Sequence, residues 1–203
     1  MPRIRAENIA AHKEQTRRQI LDAARANFLE FGYPETSLGD IALDADIGRT
    51  TLYEYFPDKE AVLIELVNTE LPAMVDSIVE GIPGGLTAKE FLGELVLRHL
   101  EFIADGSNLG TMIMRDSNHL SAAAQQDIRT AHGRLEEAIV DAYAAGADSG
   151  EFRAIDPATA GELVNAVTMY GARTLLRSAD PKGAIHETID TILDFLFEGL
   201  GAS

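Results

Sequence analysis

An all-α fold of about nine helices is what this sequence predicts, and three observations predict it. Apolar residues recur at three- and four-residue steps, as in Ile20, Ala23, Ala24, Phe28 and Phe31. Long Ala-, Leu- and Glu-rich segments predominate, with few β-branched runs in period-two alternation. Helix-start devices recur at intervals: Ser37 with Asp40, Asp58, Thr87 with Glu90, Asp156-Pro157 and Asp180-Pro181. At 203 residues with 46% hydrophobic content, the chain can bury a real core in one large or two small domains.

Taken in order, residues 1 to about 12 read as an unanchored basic arm carrying Arg3 and Arg5. The first helix is expected from Thr16, paired with Gln19 as a capping box, to Gly32. A short helix follows from about Leu38 to Ala45, with Ile41, Ala42 and Ala45 as its apolar face. Asp46-Ile47-Gly48 breaks the pattern, and Arg49 to Phe56 forms two more turns with Leu52 and Phe56 on one side. Asp58 caps a helix running toward Gly81, which Pro72 is expected to kink or break, since proline lacks a donor and its ring clashes with the Asn68 carbonyl. Thr87 opens a helix to about Ala104. Leu109 to Met114 is a brief helix, and Ser121 to Ala145 a long one. Asp156-Pro157 and Asp180-Pro181 start the last two helices, ending near Arg177 and Gly199.

The spacing of Ala42, Asp46 and Leu52 is that of a helix-turn-helix. Two helices crossing steeply need a small residue at the contact, a turn residue that tolerates left-handed geometry, and an apolar anchor behind the second helix. That second helix then exposes Arg49, Thr50, Thr51, Tyr53 and Tyr55, whose guanidinium and hydroxyl groups suit phosphates and base edges.

The residues TRRQILDAARANFLEFGYPETSL, DIALDADIG, TTLYEYF and PDKEAVLIELV, within Thr16 to Val67, resemble the N-terminal DNA-binding domain of TetR-family transcriptional regulators. The most specific part is Thr51-Leu52-Tyr53-Glu54-Tyr55-Phe56 followed by Lys59-Glu60. Two positions depart from the family pattern: Asp46 stands where glycine is usual, and Gly48 where Ser or Thr usually opens the recognition helix. The resemblance implies a three-helix helix-turn-helix DNA-binding domain over residues 1–60 and a larger helical domain over 61–203 for effector binding and dimerisation. Arg49, Thr50 and Thr51 would read bases beside Gly48. Ser37, Tyr53, Tyr55, Lys59, Lys13, Arg17, Arg18 and the arm residues Arg3 and Arg5 would hold phosphates.

A formal net charge of −16 at first argues against DNA. Its distribution softens this. Residues 1–25 carry Arg3, Arg5, Lys13, Arg17, Arg18 and Arg25 against Glu7, Glu14 and Asp22, whereas 22 acidic residues face 9 basic ones from Ala61 onward. A basic leading edge on an acidic body suits contact with DNA at one end; a solvated arm on an acidic protein fits the charge equally.

The last two helices are strongly apolar for surface elements, and the final one needs two buried faces, which implies a partner, the alternative being a fully buried central helix in a monomer. By resemblance that partner is a second copy, joined in a four-helix bundle through Val167, Leu176, Ile185, Ile189, Ile192, Leu193 and Leu196. The resemblance also implies a small-molecule effector between the middle helices, where Phe91, Leu95, His99, Phe102, Met112, Met114, Tyr143, Asn165, Met169 and Tyr170 offer deformable apolar walls and a few polar anchors.

No catalytic constellation, metal-ligand spacing or cofactor fingerprint stands in the chain, so neither an enzyme nor a cofactor is expected. With no cysteine, disulfides and thiol sensing are excluded. No apolar run reaches membrane-spanning length and the N-terminus lacks a signal-peptide core, so the cytoplasm is the expected location. The expected protein is a homodimeric repressor released from a pseudo-palindromic operator by its effector. An activator or co-repressor-dependent regulator shares every residue cited. A helical ligand-binding protein or enzyme with a degenerate DNA-binding domain is a further alternative, which the intact TTLYEYF run opposes.

Overall fold

Ten α-helices and one 3-10 turn make up the computed structural model, which describes residues 2–106 and 108–201, with side chains from Ile9 onward. They are α1 (Pro2–Phe31), α2 (Leu38–Asp44), α3 (Arg49–Tyr55), α4 (Lys59–Glu80), α5 (Ala88–Asp105), α6 (Leu109–Asp116), α7 (Ala122–Ala131), α8 (Gly133–Ser149), α9 (Pro157–Arg177) and α10 (Pro181–Leu200). The capping devices fall where the sequence places them. Ser37 and Asp40 form a complete capping box, as do Thr87 and Glu90, while Asp58, Asp156 and Asp180 each accept a backbone N–H of the first turn.

Four expectations change. The first helix does not start at Thr16: α1 begins at Pro2, and the Thr16 hydroxyl donates to the His12 carbonyl one turn back. Upstream sequence with good helix formers such as Ala6, Glu7, Ala10, Ala11, Lys13 and Glu14 continues the helix, so Thr16 is an interior residue and no free arm precedes it among the described residues. Phe31 is 55% exposed, and Tyr33 fills the core in its place. The single helix expected from Ser121 to Ala145 is two, divided at His132, which ends α7 and begins α8. Finally, α4 is continuous through Pro72, so the proline does not break it.

Two cores hold the molecule. The first joins α1–α3 and the start of α4 through Ile20, Phe28, Ile41, Leu52, Phe56 and Leu63, and also takes Leu109, Met112 and Ile113 from α6 and Leu120, Ala124 and Ile128. The second packs the end of α4 with α5, α8, α9 and α10 around Val75, Leu92, Leu100, Tyr143, Val164, Leu175 and Ile192. Met74 touches both. Helices α6 and α7 thus lie in sequence among the C-terminal helices but pack against the N-terminal ones.

Candidate DNA interface and internal cavity

The turn between α2 and α3 is built as its residues require. Asp46 adopts φ +53°, the one non-glycine in the left-handed region among the described residues, and Ala42 (2% exposed) and Leu52 (0%) are buried at the crossing. Asn27, buried on α1, donates to Asp44 at 2.6 Å and fixes α2 against α1. The sequence reading missed it. Gly48 caps α3 without a side-chain bond, leaving Arg49, Thr50 and Tyr53 exposed and Thr51 and Tyr55 half-buried. None of these five makes a side-chain hydrogen bond with another described residue, so their polar groups are available to a ligand. A groove between α1 and α3 brings Lys13 beside Tyr55, with Arg17, Glu14 and Glu54 also lining it.

Other expected phosphate contacts are placed differently. Arg17 is held by a two-pronged pair with Glu65 and lies 4.8 Å over the Phe56 ring, which locks α1 to α4. Arg18 is exposed and shares an intrahelical pair with Glu14. The Ser37 hydroxyl is engaged with Asp40 in the capping box. The side chains of Arg3 and Arg5 lie outside the described residues.

Lys59 departs furthest from the expected placement. Its ammonium donates to the carbonyls of Tyr33, Pro34 and Thr36 at 2.5, 3.2 and 2.7 Å, and sits 4.3 Å over the Tyr33 ring. All three N–H donors are spent inside the protein. Burial pulls its pKa below the usual lysine value, and pushes that of Tyr33 up to about 12 with help from Glu60 and Asp58.

The same loop receives α6. Buried Asp116 accepts the Tyr33 backbone N–H at 2.9 Å and the Arg115 guanidinium at 3.0 Å. Burial raises the Asp116 carboxyl, but these donors outweigh it and hold the group below the usual carboxylate range. Gly32, at φ +86°, lets the chain pass so close that an added Cβ would lie 3.1 Å from Arg115 and 3.2 Å from Asp116. At the start of α4, Glu60 likewise receives the backbone N–H and hydroxyl of Ser121.

On the far side of α6 lies a cavity of about 320 Å³. Of the expected lining, His99, Phe102, Met114, Asn165 and Met169 are there, joined by Met74, Ile103, Gly110, Ile113, Ser117, Ile128, Arg129, His132, Leu135, Glu136 and Arg173. Five expected residues are not. Met112 belongs to the first core and Leu95 to the second. Phe91 packs half-buried against the second core. Tyr143 is fully buried, its hydroxyl donating to the Arg153 carbonyl and accepting the Ile155 N–H, and Tyr170 is 66% exposed. Burial, with a smaller contribution from nearby His132, pushes the His99 pKa down to about 4. The ring is therefore neutral near pH 7.

The outer face of the last two helices also differs in phase from the expectation. Ile185, Ile189, Ile192 and Leu196 are buried in the chain's own core, so they offer little to a partner. Val167, Leu176 and Leu193 are half-buried. The exposed apolar groups are Leu163 (50%), Tyr170 (66%) and Phe195 (66%); Leu163, Val167 and Tyr170 form one stripe on α9 at four- and three-residue steps.

A helix-turn-helix with an open reading face, joined through α6 to a helical domain with a cavity, is the architecture of a helix-turn-helix DNA-binding regulator. Residues 20–66 match the family described as bacterial regulatory proteins, tetR family, and residues 85–170 match the tetracyclin repressor-like C-terminal domain. The chain belongs to the TetR family. The fatty acid metabolism regulator protein of Bacillus subtilis (strain 168) is 33% identical over 103 residues, 49% of this chain and 53% of that one, so the match spans about half that relative's length. The transcriptional repressor KstR2 of Rhodococcus jostii (strain RHA1) is 28% identical over 200 residues, 94% of this chain and 93% of that one. The crystal structure of FadR from Bacillus subtilis in complex with stearoyl-CoA shares the fold at TM-score 0.71 and 23% identity, covering 86% of this chain and 96% of that one. Among the described residues, no helix is long and apolar enough to cross a membrane.

Proposed function

We propose that this protein is a homodimeric repressor that reads an inverted-repeat operator and leaves it when a small molecule fills the α4–α9 cavity. One observation carries the reading. Helix α6 lines the cavity with Gly110, Ile113 and Met114, and two residues further on its Asp116 carboxylate holds the backbone of Tyr33 in the helix-turn-helix domain. A ligand that shifts α6 therefore acts on the element that sets where α2 and α3 lie. It shifts the population by its differential affinity for the two arrangements. The resemblance to a repressor over nearly the whole chain, and to a regulator crystallised with stearoyl-CoA, supports the same reading. Residues 1–60 would form the reading head and 61–203 the effector and dimer body, with α6 and α7 as the joint.

In the dimer, two copies of α3 would enter successive major grooves, roughly 34–36 Å apart in one-turn geometry. Selection from a randomised duplex pool is expected to return an inverted repeat, bound less tightly as salt rises. Arg49→Ala is expected to weaken binding to the selected site by about tenfold or more and to relax preference at the contacted base pairs. An unchanged Arg49→Ala variant would remove α3 from base reading, and no enriched sequence in any ligand state would sink the operator reading.

The dimer contact itself is assigned to the Leu163–Val167–Tyr170 stripe with Phe195. Wild-type protein is expected to sediment at twice the 22.0 kDa chain mass, and Tyr170→Asp to sediment as a monomer at micromolar concentration. A Tyr170→Asp protein that stays dimeric places the interface elsewhere.

A further inference from the structure

The cavity's polar groups are unevenly chosen. His99, 5% exposed on α5, lines it and has no hydrogen-bond partner for its ring among the described residues. On α9, Asn165, Met169 and Arg173 lie at successive four-residue steps along one face, and neither Asn165 nor Arg173 bonds another described side chain or backbone group. Asn165 is half-buried and Arg173 exposed, so donors run from the interior to the rim. His132 already spends Nδ1 on the Ile128 carbonyl at 2.8 Å, which leaves its other nitrogen as an acceptor in the neutral ring. Arg129 adds a second guanidinium at the rim, and Glu136, exposed, is the lining's one carboxylate. The rest of the wall is Met74, Phe102, Ile103, Ile113, Met114 and Met169, apolar and partly thioether. The volume falls at the small end of the roughly 300–1,000 Å³ typical of small-molecule sites.

We propose that this cavity takes a small organic anion, a monocarboxylate with an apolar body of medium chain length, its head held by donors of His99, Asn165 and Arg173. The assignment rests on reading the cavity as the effector site. A carboxylate only accepts hydrogen bonds, and this lining offers unspent donors together with an excess of positive charge at the rim. A cationic head would meet two guanidinium groups and no buried carboxylate. A neutral alcohol would satisfy fewer of the donors.

The test uses full-length protein and three compounds with one chain and different heads: octanoate, octan-1-ol and octylamine. Each competes with 1-aminoanthracene, an uncharged fluorophore, for the cavity. Octanoate is expected to displace it at about tenfold lower concentration than octanol, the difference one charge-assisted bond supplies, and octylamine not to displace it. Arg173→Met, a change at an exposed site, is expected to erase octanoate's advantage and leave octanol unchanged. Octanol or octylamine matching octanoate, or an Arg173→Met variant that keeps the preference, overturns the proposal. A cavity-filling Met114→Trp variant separates the two levels. If it abolishes fluorophore binding and octanoate still fails to compete on wild type, the carboxylate assignment falls and the cavity reading stands. If the fluorophore binds Met114→Trp as well as wild type, both fall.

Discussion

Lys59→Ala is expected to lower the protein's stability by about 3 kcal/mol and to weaken DNA binding without changing its salt dependence. The lysine stands in the first turn of α4, where the helix dipole disfavours a cation. The sequence gives no internal reason for it, and a phosphate partner is the natural expectation. The structure supplies one: its three donors close on the Tyr33, Pro34 and Thr36 carbonyls, the strand of backbone between α1 and α2. Removing the ammonium leaves these acceptors without their donor at a place where Asp116 also holds the chain through the Tyr33 N–H. The reading head then loses its fixed position, and affinity falls for geometric reasons. A lysine on phosphate would instead reduce the slope of log K against log salt by about one on mutation. Lys13→Ala provides the contrast, since Lys13 is exposed beside Tyr55 and has no ion-pair partner among the described residues. It should leave stability unchanged and reduce the slope. Chemical denaturation and binding at several salt concentrations decide both. A stable Lys59→Ala protein with a reduced slope would return Lys59 to the phosphate backbone.

What could be read in advance, and what could not, divides by range along the chain. Ser37 with Asp40, Thr87 with Glu90, and the Asp-Pro starts at 156 and 180 act within three residues, so spacing reveals them. The helix-turn-helix is equally local, and Asp46 takes the left-handed geometry its position requires. Thr16 failed because the same residue type caps a helix or bonds back one turn inside it, and only the upstream sequence decides. His132 divides α7 from α8 with no proline to announce it. The functional pairings are long-range: Arg17 to Glu65, Asn27 to Asp44, and Asp116 to Tyr33 across 83 residues. The resemblance implied that Arg17 and Lys59 hold phosphates, and a local motif cannot show that an internal partner is already in place. In the cavity, Asn165 and Met169 were found, and one more four-residue step along α9 would have added Arg173. On α10 the residues expected at the interface fall on the face buried in the chain's own core, because a helix apolar on two sides does not disclose which side its own domain takes. Phe195, the residue left exposed, lies one position from the buried Leu196.

Acid should expose His99 as a stability switch. Its pKa lies near 4 in the folded protein, because burial against the cavity wall removes water from the ring and His132 adds repulsion; the ordinary value is 6.5. Between these values the unfolded chain binds the proton more readily, so stability rises with pH across this window and falls as pH drops from about 6.5 toward 4. From pH 7 to pH 5 the loss amounts to about 2 kcal/mol. The charged groups that line the same cavity are Arg129 on α7, Glu136 on α8 and Arg173 on α9, while α4 and α6 present only uncharged residues to it. Carboxylates held below their usual range, such as Asp116, Asp156 and Glu151, add acid sensitivity of the same sign but at lower pH. Urea unfolding at pH 7 and pH 5, for wild type and His99→Phe, separates the contributions: the variant should keep the carboxylate part and lose the dependence between pH 5 and 6.5. Identical pH slopes in the two proteins would mean that His99 does not titrate in this window. The same histidine then links stability to occupancy. An anion that draws a proton onto the ring raises its pKa in the complex, so binding should stabilise the protein more at pH 5.5 than at pH 7.5.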